Sequence, residues 1–102
     1  MSRVIKGVLQ EELVNSRRMQ RRYVQALRRL GKGSLVKKRI GGRAYYYLAR
    51  REGGRVRFRY LGKLSAQELQ MRRSQYRQRG QYRQLLRDVK AQIRFLERSL
   101  RG

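Results

Sequence analysis

Apolar residues recur at helical spacing through the first part of the chain. Between Ile5 and Leu30 they fall every three to four residues, and arginines crowd the remaining positions. Gly31 follows a basic turn, an arrangement typical of a helix C-terminus, where glycine adopts a left-handed conformation and cations complement the helix dipole. The pattern predicts a long N-terminal helix over residues 3–30.

A second helical pattern occupies the C-terminal part of the chain. Ser65 to Glu68 has the sequence of a capping box, and Leu64 with Leu69 forms the matching hydrophobic staple. Farther along, apolar residues alternate spacings of four and three as in a coiled coil, and these seam residues are Tyr82, Leu86, Val89, Ile93, Leu96 and Leu100. We expect a helix over residues 65–101 whose seam residues pair with the first helix as a hairpin, or with a second copy in a homodimer.

Gly80 lies where the phase of this second pattern changes. The seam that begins at Tyr82 does not continue smoothly upstream through Tyr76 to Leu69. Because glycine inside a helix is less favourable than alanine by about 1 kcal/mol, we expect a bend or a break at this point.

Between the two helices, three strand-like runs are separated by Gly41-Gly42 and Gly53-Gly54. Gly-Gly between such runs is a strong hairpin signal, because the turns that match strand twist need positive φ at central positions. With two-residue loops, Ile40 pairs with Arg43 and Ala49 with Phe58. A four-residue second loop leaves this register unchanged. The sequence therefore predicts a three-stranded antiparallel β-meander over residues 34–62, and an α+β fold in a single domain over residues 1–102.

Side-chain alternation divides the meander into two faces. The aromatic face collects Val36, Ile40, Tyr45, Tyr47, Ala49, Val56, Phe58 and Tyr60. The basic face collects Leu35, Lys37, Arg39, Ala44, Tyr46, Leu48, Arg50, Arg57, Arg59 and Leu61. We expect the aromatic face to pack on a helix. The basic face, with five cations around Tyr46, is then left open to contact phosphate.

The charge of the chain indicates what it binds. It contains 29 Lys and Arg against 6 Asp and Glu, which gives a net charge of +23 and a pI of about 11.8. Such a basic domain is typical of nucleic-acid binding, with anionic membrane surfaces as the competing partner. There is no cysteine or histidine, no stretch resembles a signal peptide, and none is long and apolar enough to span a membrane. We expect a cytoplasmic, nucleoid-associated protein with no metal and no cofactor.

Catalysis is not expected from these residues. The acids Glu11, Glu12, Glu52, Glu68, Asp88 and Glu97 are scattered over different elements, whereas a metal-dependent nuclease needs several carboxylates that converge on its ions. Tyr46 beside Arg50, Arg57 and Arg59 is the candidate for a recombinase-like tyrosine nucleophile. No residue supplies a general base for it. The Gly-Gly pairs do not form a phosphate-binding loop, because neither precedes a helix with Lys-Ser/Thr. We therefore predict that the protein is not an enzyme.

Three motifs of the meander, and the helix that follows, occur in a recognisable order. The motifs are Gly33-Ser34-Leu35-Val36-Lys37, Tyr45-Tyr46-Tyr47-Leu48 and Arg59-Tyr60-Leu61-Gly62-Lys63, and the charged helix begins at Ser65. This order resembles a small basic prokaryotic domain of unknown function. Similar segments occur near the N-termini of some insertion-sequence transposases, so the resemblance implies association with mobile DNA. Many relatives carry a cysteine-containing insertion where this chain has only Gly41-Gly42, so no metal-linked role is carried over.

The function that these patterns favour is non-catalytic binding of duplex DNA. A strand pair of the meander would enter the major groove while helix arginines hold flanking phosphates. The predicted nucleic-acid-binding residues are Lys37, Arg39, Tyr46, Arg50, Arg57 and Arg59 on the sheet, and Arg17, Arg18, Arg21, Arg22, Arg72, Arg73 and Arg77 on the helices. Structured RNA is the alternative nucleic acid, because Arg and Tyr also stack on unpaired bases. A third reading is a protein-interaction or antitoxin-like module that uses the seam residues.

Overall fold

The computed structural model describes every residue from Met1 to Gly102. Its elements follow the chain in the order α1 (Arg3–Leu30), β1 (Ser34–Ile40), β2 (Arg43–Glu52), β3 (Arg55–Gly62) and α2 (Ala66–Arg101). Two helices thus flank a three-stranded antiparallel open sheet, and the predicted α+β fold class is confirmed. The chain divides into two compact units, one formed by Met1–Leu30 with Gln78–Gly102 and the other by Gly31–Arg77.

In the helical unit, α1 packs antiparallel against the C-terminal part of α2. The Nε2 amide of Gln92 donates a hydrogen bond of 2.9 Å to Oγ of Ser16, and the ring centroids of Tyr23 and Tyr82 lie 6.1 Å apart. Ser16 is completely buried, and the amide of Gln92 satisfies its hydroxyl oxygen. The predicted helical hairpin is therefore confirmed.

The seam residues form the core of this unit. Val89, Ile93 and Leu96 are buried, and the other three seam residues are half-buried. The sequence predicted that the seam residues pair either with α1 or with a second copy of the chain. In the structure a single chain already buries much of their surface. A homodimer that used the same side chains would have to displace this packing.

Both helices begin with a serine cap. The backbone N–H of Ile5 donates to Oγ of Ser2 at 3.1 Å, and that of Glu68 donates to Oγ of Ser65 at the same distance. Each bond satisfies one of the N–H groups that the first turn of a helix leaves without an internal partner. The predicted cap at Ser65 is confirmed, and Ser2 supplies a second cap at the predicted start of the N-terminal helix.

Of the two outcomes predicted at Gly80, a break is wrong, because α2 continues through this residue, and a bend stays a prediction. Gly80 lies inside the span Ala66–Arg101, and its φ is not positive. The cost of one glycine in a helix interior, about 1 kcal/mol, is small beside the packing of the seam that follows it. The change of phase in the apolar pattern instead falls near the boundary between the two units, at residues 77 and 78.

The strands follow the predicted order and register. Ile40 pairs with Arg43 across the first hairpin, and Ala49 pairs with Phe58 across the second. Both loops contain two residues, and all four loop glycines have positive φ, between 56° and 78°. These are the φ angles of type I′ turns. Glycine adopts them freely, whereas most residues with a side chain adopt them only with strain.

The pairing of β2 with β3 contains one irregularity that the sequence did not predict. Tyr47 pairs with Tyr60 and its neighbour Tyr46 pairs with Gly62, so Leu61 is an extra residue on β3. Gly62 has a φ of +81°, which a glycine adopts without strain. Such a bulge increases the local twist at the end of the strand.

The prediction of which sheet face is covered is wrong. On the aromatic face, Phe58 is 63% exposed and Tyr60 57%, whereas Tyr46 on the basic face is only 7% exposed. Both faces also contain half-buried side chains, which are Leu35, Ala44, Leu48 and Leu61 on the basic face and Val36, Tyr45, Tyr47 and Ala49 on the aromatic face. Long cationic side chains can cover apolar neighbours with their methylene groups while their charges stay in water. A face rich in cations can therefore be covered at its centre and charged at its margin.

Candidate nucleic-acid interface

The cations of the basic face lie around the covered side chain of Tyr46. Lys37, Arg39 and Arg59 are exposed and form no ion pair. Because the ring of Tyr46 is buried, it offers no open surface on which a base can stack. This burial argues against a stacking contact and against an exposed nucleophile at Tyr46, and a part for Tyr46 in nucleic-acid binding stays a prediction.

Glu52 engages two of the predicted binding residues. Its carboxylate lies 3.9 Å from Nε of Arg50 and 3.7 Å from Nε of Arg57. All three side chains are at least 45% exposed, so the pairs are solvated and stabilise the fold by less than about 1 kcal/mol. Arg50 and Arg57 face each other across β2 and β3, and the shared carboxylate holds two like charges together.

The second hairpin is exposed along most of its length. Every residue from 50 to 60 is exposed, on both faces of the two strands. This segment contains five arginines and one acid, and its arginines are Arg50, Arg51, Arg55, Arg57 and Arg59. Arg51, Arg55 and Arg59 have no acidic partner. We call residues 50–60 the arginine hairpin.

The aromatic face carries a cluster of rings that the sequence analysis assigned to the core. The ring of Tyr60 lies 5.2 Å from that of Tyr47 and 6.5 Å from that of Tyr45, measured between centroids. Together with Ile40, the three tyrosines line an open concavity of about 350 Å³. In the sequence, the period-two alternation of side chains indicated that these residues share one face of the sheet. It did not show that Ile40 and Tyr60 are exposed while Tyr45 and Tyr47 are half-buried.

Three cations share this face with the rings. Nζ of Lys38 lies 5.6 Å from the centroid of Tyr47, at a distance typical of a cation–π contact. The register places Arg43 opposite Ile40 and Arg51 opposite Val56, on the same side of the sheet. The acid of the sheet, Glu52, alternates to the basic face, where it contacts Arg50. The aromatic face therefore carries positive charge without an acid.

The predicted helix residues are distributed over both units. Arg17, Arg18, Arg21 and Arg22 are exposed on α1 in the helical unit, whereas Arg72, Arg73 and Arg77 belong to the unit that contains the sheet. Arg72 is half-buried, and Arg73 and Arg77 are exposed. One arginine that the sequence did not single out, Arg79, is buried at 6% exposure. Nothing in the spacing of the arginines distinguishes it from its exposed neighbours.

No group of three or more His, Cys, Asp or Glu side chains converges as a metal ion would require. Neither helix combines the length and the apolar character needed to cross a membrane.

The fold and the interface define a small, strongly basic α+β protein whose meander exposes both arginines and aromatic rings. The chain belongs to the family described as Domain of unknown function (DUF6788), whose model matches residues 5–71. The match takes in nearly all of α1, the whole sheet and the first turn of α2. The resemblance to a small domain of unknown function is thereby confirmed. No curated protein matches the chain, and no solved structure does.

Proposed function

We propose that this protein binds nucleic acid without catalysing a reaction, and that duplex DNA is held by the arginine hairpin. The observation that carries the proposal is the complete exposure of residues 50–60, with five arginines on two paired strands. A two-stranded ribbon fits the major groove of B-form DNA, and arginine forms paired hydrogen bonds with guanine there. Arg59 and Arg55 are free to make such contacts because no acid engages them.

Phosphate contacts supply the larger part of the affinity in this proposal. The remaining cations of the basic face, Lys37 and Arg39, are exposed on β1, at the opposite edge of the sheet but on the same face. The exposed arginines of α1 and of the first turns of α2 add further positive surface. Contacts of this kind hold the protein on the duplex but do not select a sequence.

Salt dependence tests whether phosphates dominate the binding. We expect the logarithm of the affinity for a fluorescein-labelled duplex to fall linearly with the logarithm of salt concentration. With about six to ten phosphate contacts, the affinity drops by a factor on the order of a thousand or more between about 50 and 200 mM salt. Fluorescence anisotropy measures both quantities. An affinity that does not change with salt contradicts nucleic-acid binding.

Two matched pairs of substitutions test the hairpin. Arg55→Ala with Arg59→Ala removes two charges from the arginine hairpin, and we expect a loss of roughly 1 to 3 kcal/mol for each arginine that reads a base. Arg94→Ala with Arg98→Ala removes the same charge from exposed positions on α2 and should weaken binding much less. Equal losses from the two pairs would mean that net charge, and not the hairpin, determines the affinity.

The arginines of α1 provide the competing interpretation. If Arg18→Ala with Arg22→Ala abolishes nucleic-acid binding while Arg55→Ala with Arg59→Ala does not, the binding surface is on α1, and the sheet has only a structural role. The same titrations with double-stranded RNA decide between duplex DNA and structured RNA. We further propose that the DNA belongs to mobile elements, and a transposase gene next to the gene of this protein would support that association. We also propose that nucleic-acid binding does not depend on a homodimer.

A further inference from the structure

The aromatic face is exposed along β3 and at the end of β1. Val56, Phe58 and Tyr60 alternate along β3 and are each more than half exposed, as is Ile40 on β1, and the half-buried rings of Tyr45 and Tyr47 on β2 connect Tyr60 with Ile40. Single exposed apolar side chains are ordinary, whereas a contiguous patch of this kind marks a binding surface. This surface is distinct from the arginines of the basic face, because the two sets point to opposite sides of the sheet.

The geometry of the patch suits flat, unsaturated ligands. The ring of Tyr60 on β3 lies near those of Tyr45 and Tyr47 on β2. These three rings and Ile40 line one open concavity. The rings lie on a strand pair and not on loops, so the backbone ladder fixes their spacing. A nucleobase presents two apolar faces that stack on such rings whatever its sequence.

The charge of the patch selects among the possible occupants. Lys38, Arg43 and Arg51 surround the rings, and no acid lies on this face. A purely apolar protein surface or a second copy of the patch would leave these three cations without partners. A strand of nucleic acid with unpaired bases matches both features, because its bases stack while its phosphates neutralise the cations.

We infer that the aromatic face binds unpaired bases of a single-stranded nucleic acid, in addition to the duplex held by the arginine hairpin. The inference rests on the proposed function, since it assumes that the protein is a nucleic-acid binder. It adds a specific ligand class, because a paired duplex hides the faces of its bases and offers this surface only phosphates. The protein therefore engages sites where paired and unpaired nucleotides adjoin.

The test uses the full chain and labelled deoxythymidine strands of about a dozen nucleotides, a length within the range that one sheet-based site covers. Tyr60→Leu and Phe58→Leu remove exposed rings without changing the charge. Tyr60→Phe keeps the ring, and Phe95→Leu removes a ring of similar exposure from α2 as the matched control. A strand of the same length that lacks its bases retains every phosphate.

We expect Tyr60→Leu and Phe58→Leu each to weaken single-strand binding by about fivefold to a hundredfold, the range measured for loss of one stacked base. Tyr60→Phe and Phe95→Leu should bind like the parent protein, and the baseless strand should bind the parent more weakly by a similar factor. Affinity for the blunt duplex should fall much less than affinity for the single strand, because Tyr60→Leu and Phe58→Leu retain every arginine of the hairpin. Circular dichroism establishes that each variant is folded. The affinity for uridine strands of the same length compares single-stranded RNA with single-stranded DNA.

Equal affinity of the parent protein for the normal and the baseless strand would overturn the inference and leave the proposed function intact, provided that duplex binding still depends on salt. Loss of salt-dependent binding to every nucleic acid would instead defeat the proposed function itself. If the two leucine variants change the sedimentation of the protein but not its affinity for single strands, the aromatic face binds a second copy and the inference is wrong.

Discussion

At the scale of single residues, two aromatic side chains of the sheet have exchanged their expected environments. Tyr46 is 7% exposed and Phe58 is 63% exposed, although alternation and apolar character favoured the reverse. Two apolar members of the basic face, Leu35 and Leu48, are paired across β1 and β2, next to the pair of Lys37 with Tyr46. Long arginine and lysine side chains tolerate such partial burial because their stems are apolar.

The exposure of these two rings predicts opposite effects of truncation. We expect Tyr46→Ala to reduce the free energy of unfolding by about 3 to 5 kcal/mol, since it leaves a cavity in a covered site. Phe58→Ala should reduce it by no more than about 1 kcal/mol, because the ring is mostly in solvent. Urea denaturation followed by circular dichroism measures both. Should Phe58→Ala prove the more damaging, the aromatic face would be the covered one.

Gly33 shows a constraint that only the structure reveals. A Cβ at this position would lie 2.8 Å from Cδ1 of Leu48, 2.9 Å from Cγ of Arg50 and 3.1 Å from the carbonyl oxygen of Ala49. Its φ of +120° is also one that L-residues rarely adopt. The glycine therefore lets the chain pass close to β2 before β1 begins. In the sequence it is one of several glycines near a helix end.

At the scale of elements, local signals located the starts and ends of the helices and strands well. Serine caps and paired glycines act through bonds and angles within a few residues, so their effect does not depend on distant parts of the chain. Gly80 is the exception, because its weak local preference against helix is outweighed by the packing of Val89 and Ile93 farther along α2. A bulge at Leu61 likewise depends on pairing between strands.

The continuous course of α2 predicts the sign of one substitution. Gly80→Ala should increase the free energy of unfolding by about 0.5 to 1 kcal/mol, because alanine restricts the unfolded chain and favours the helix. The added methyl group meets no atom within 4 Å, so no clash opposes the gain. Thermal and urea melts of the two proteins measure the difference. A decrease in stability would contradict a helical conformation at this residue.

At the scale of the whole molecule, positive charge is the dominant property. A net charge of +23 on 102 residues places like charges close together in the folded chain, and Glu52 relieves only two of them on the sheet. Self-repulsion of this kind opposes the compact state and favours association with a polyanion. Under the proposed function, stability and nucleic-acid binding would be linked through the same cations.

This linkage predicts that the folded state is sensitive to ions. We expect the melting temperature to rise with sodium chloride between about 10 and 300 mM, as the screening length falls from roughly 30 Å to well below 10 Å. If the proposed function holds, a DNA duplex should raise the melting temperature further, because a ligand of the folded state stabilises that state. Differential scanning fluorimetry at fixed protein concentration measures both effects. A melting temperature that falls with salt would contradict self-repulsion as the main electrostatic contribution.

The sequence by itself determined the helices, the strand register and the division of the meander into two sets of side chains, because caps, Gly-Gly turns and period-two alternation act locally. Only the tertiary structure decided that Tyr46 is covered while Tyr60 and Phe58 face solvent. Alternation specifies which side chains share a face but contains no information on which of them will be buried. Burial depends on the free energy that each side chain gains from its tertiary surroundings, and Tyr46 is buried despite the arginines and the lysine that share its face.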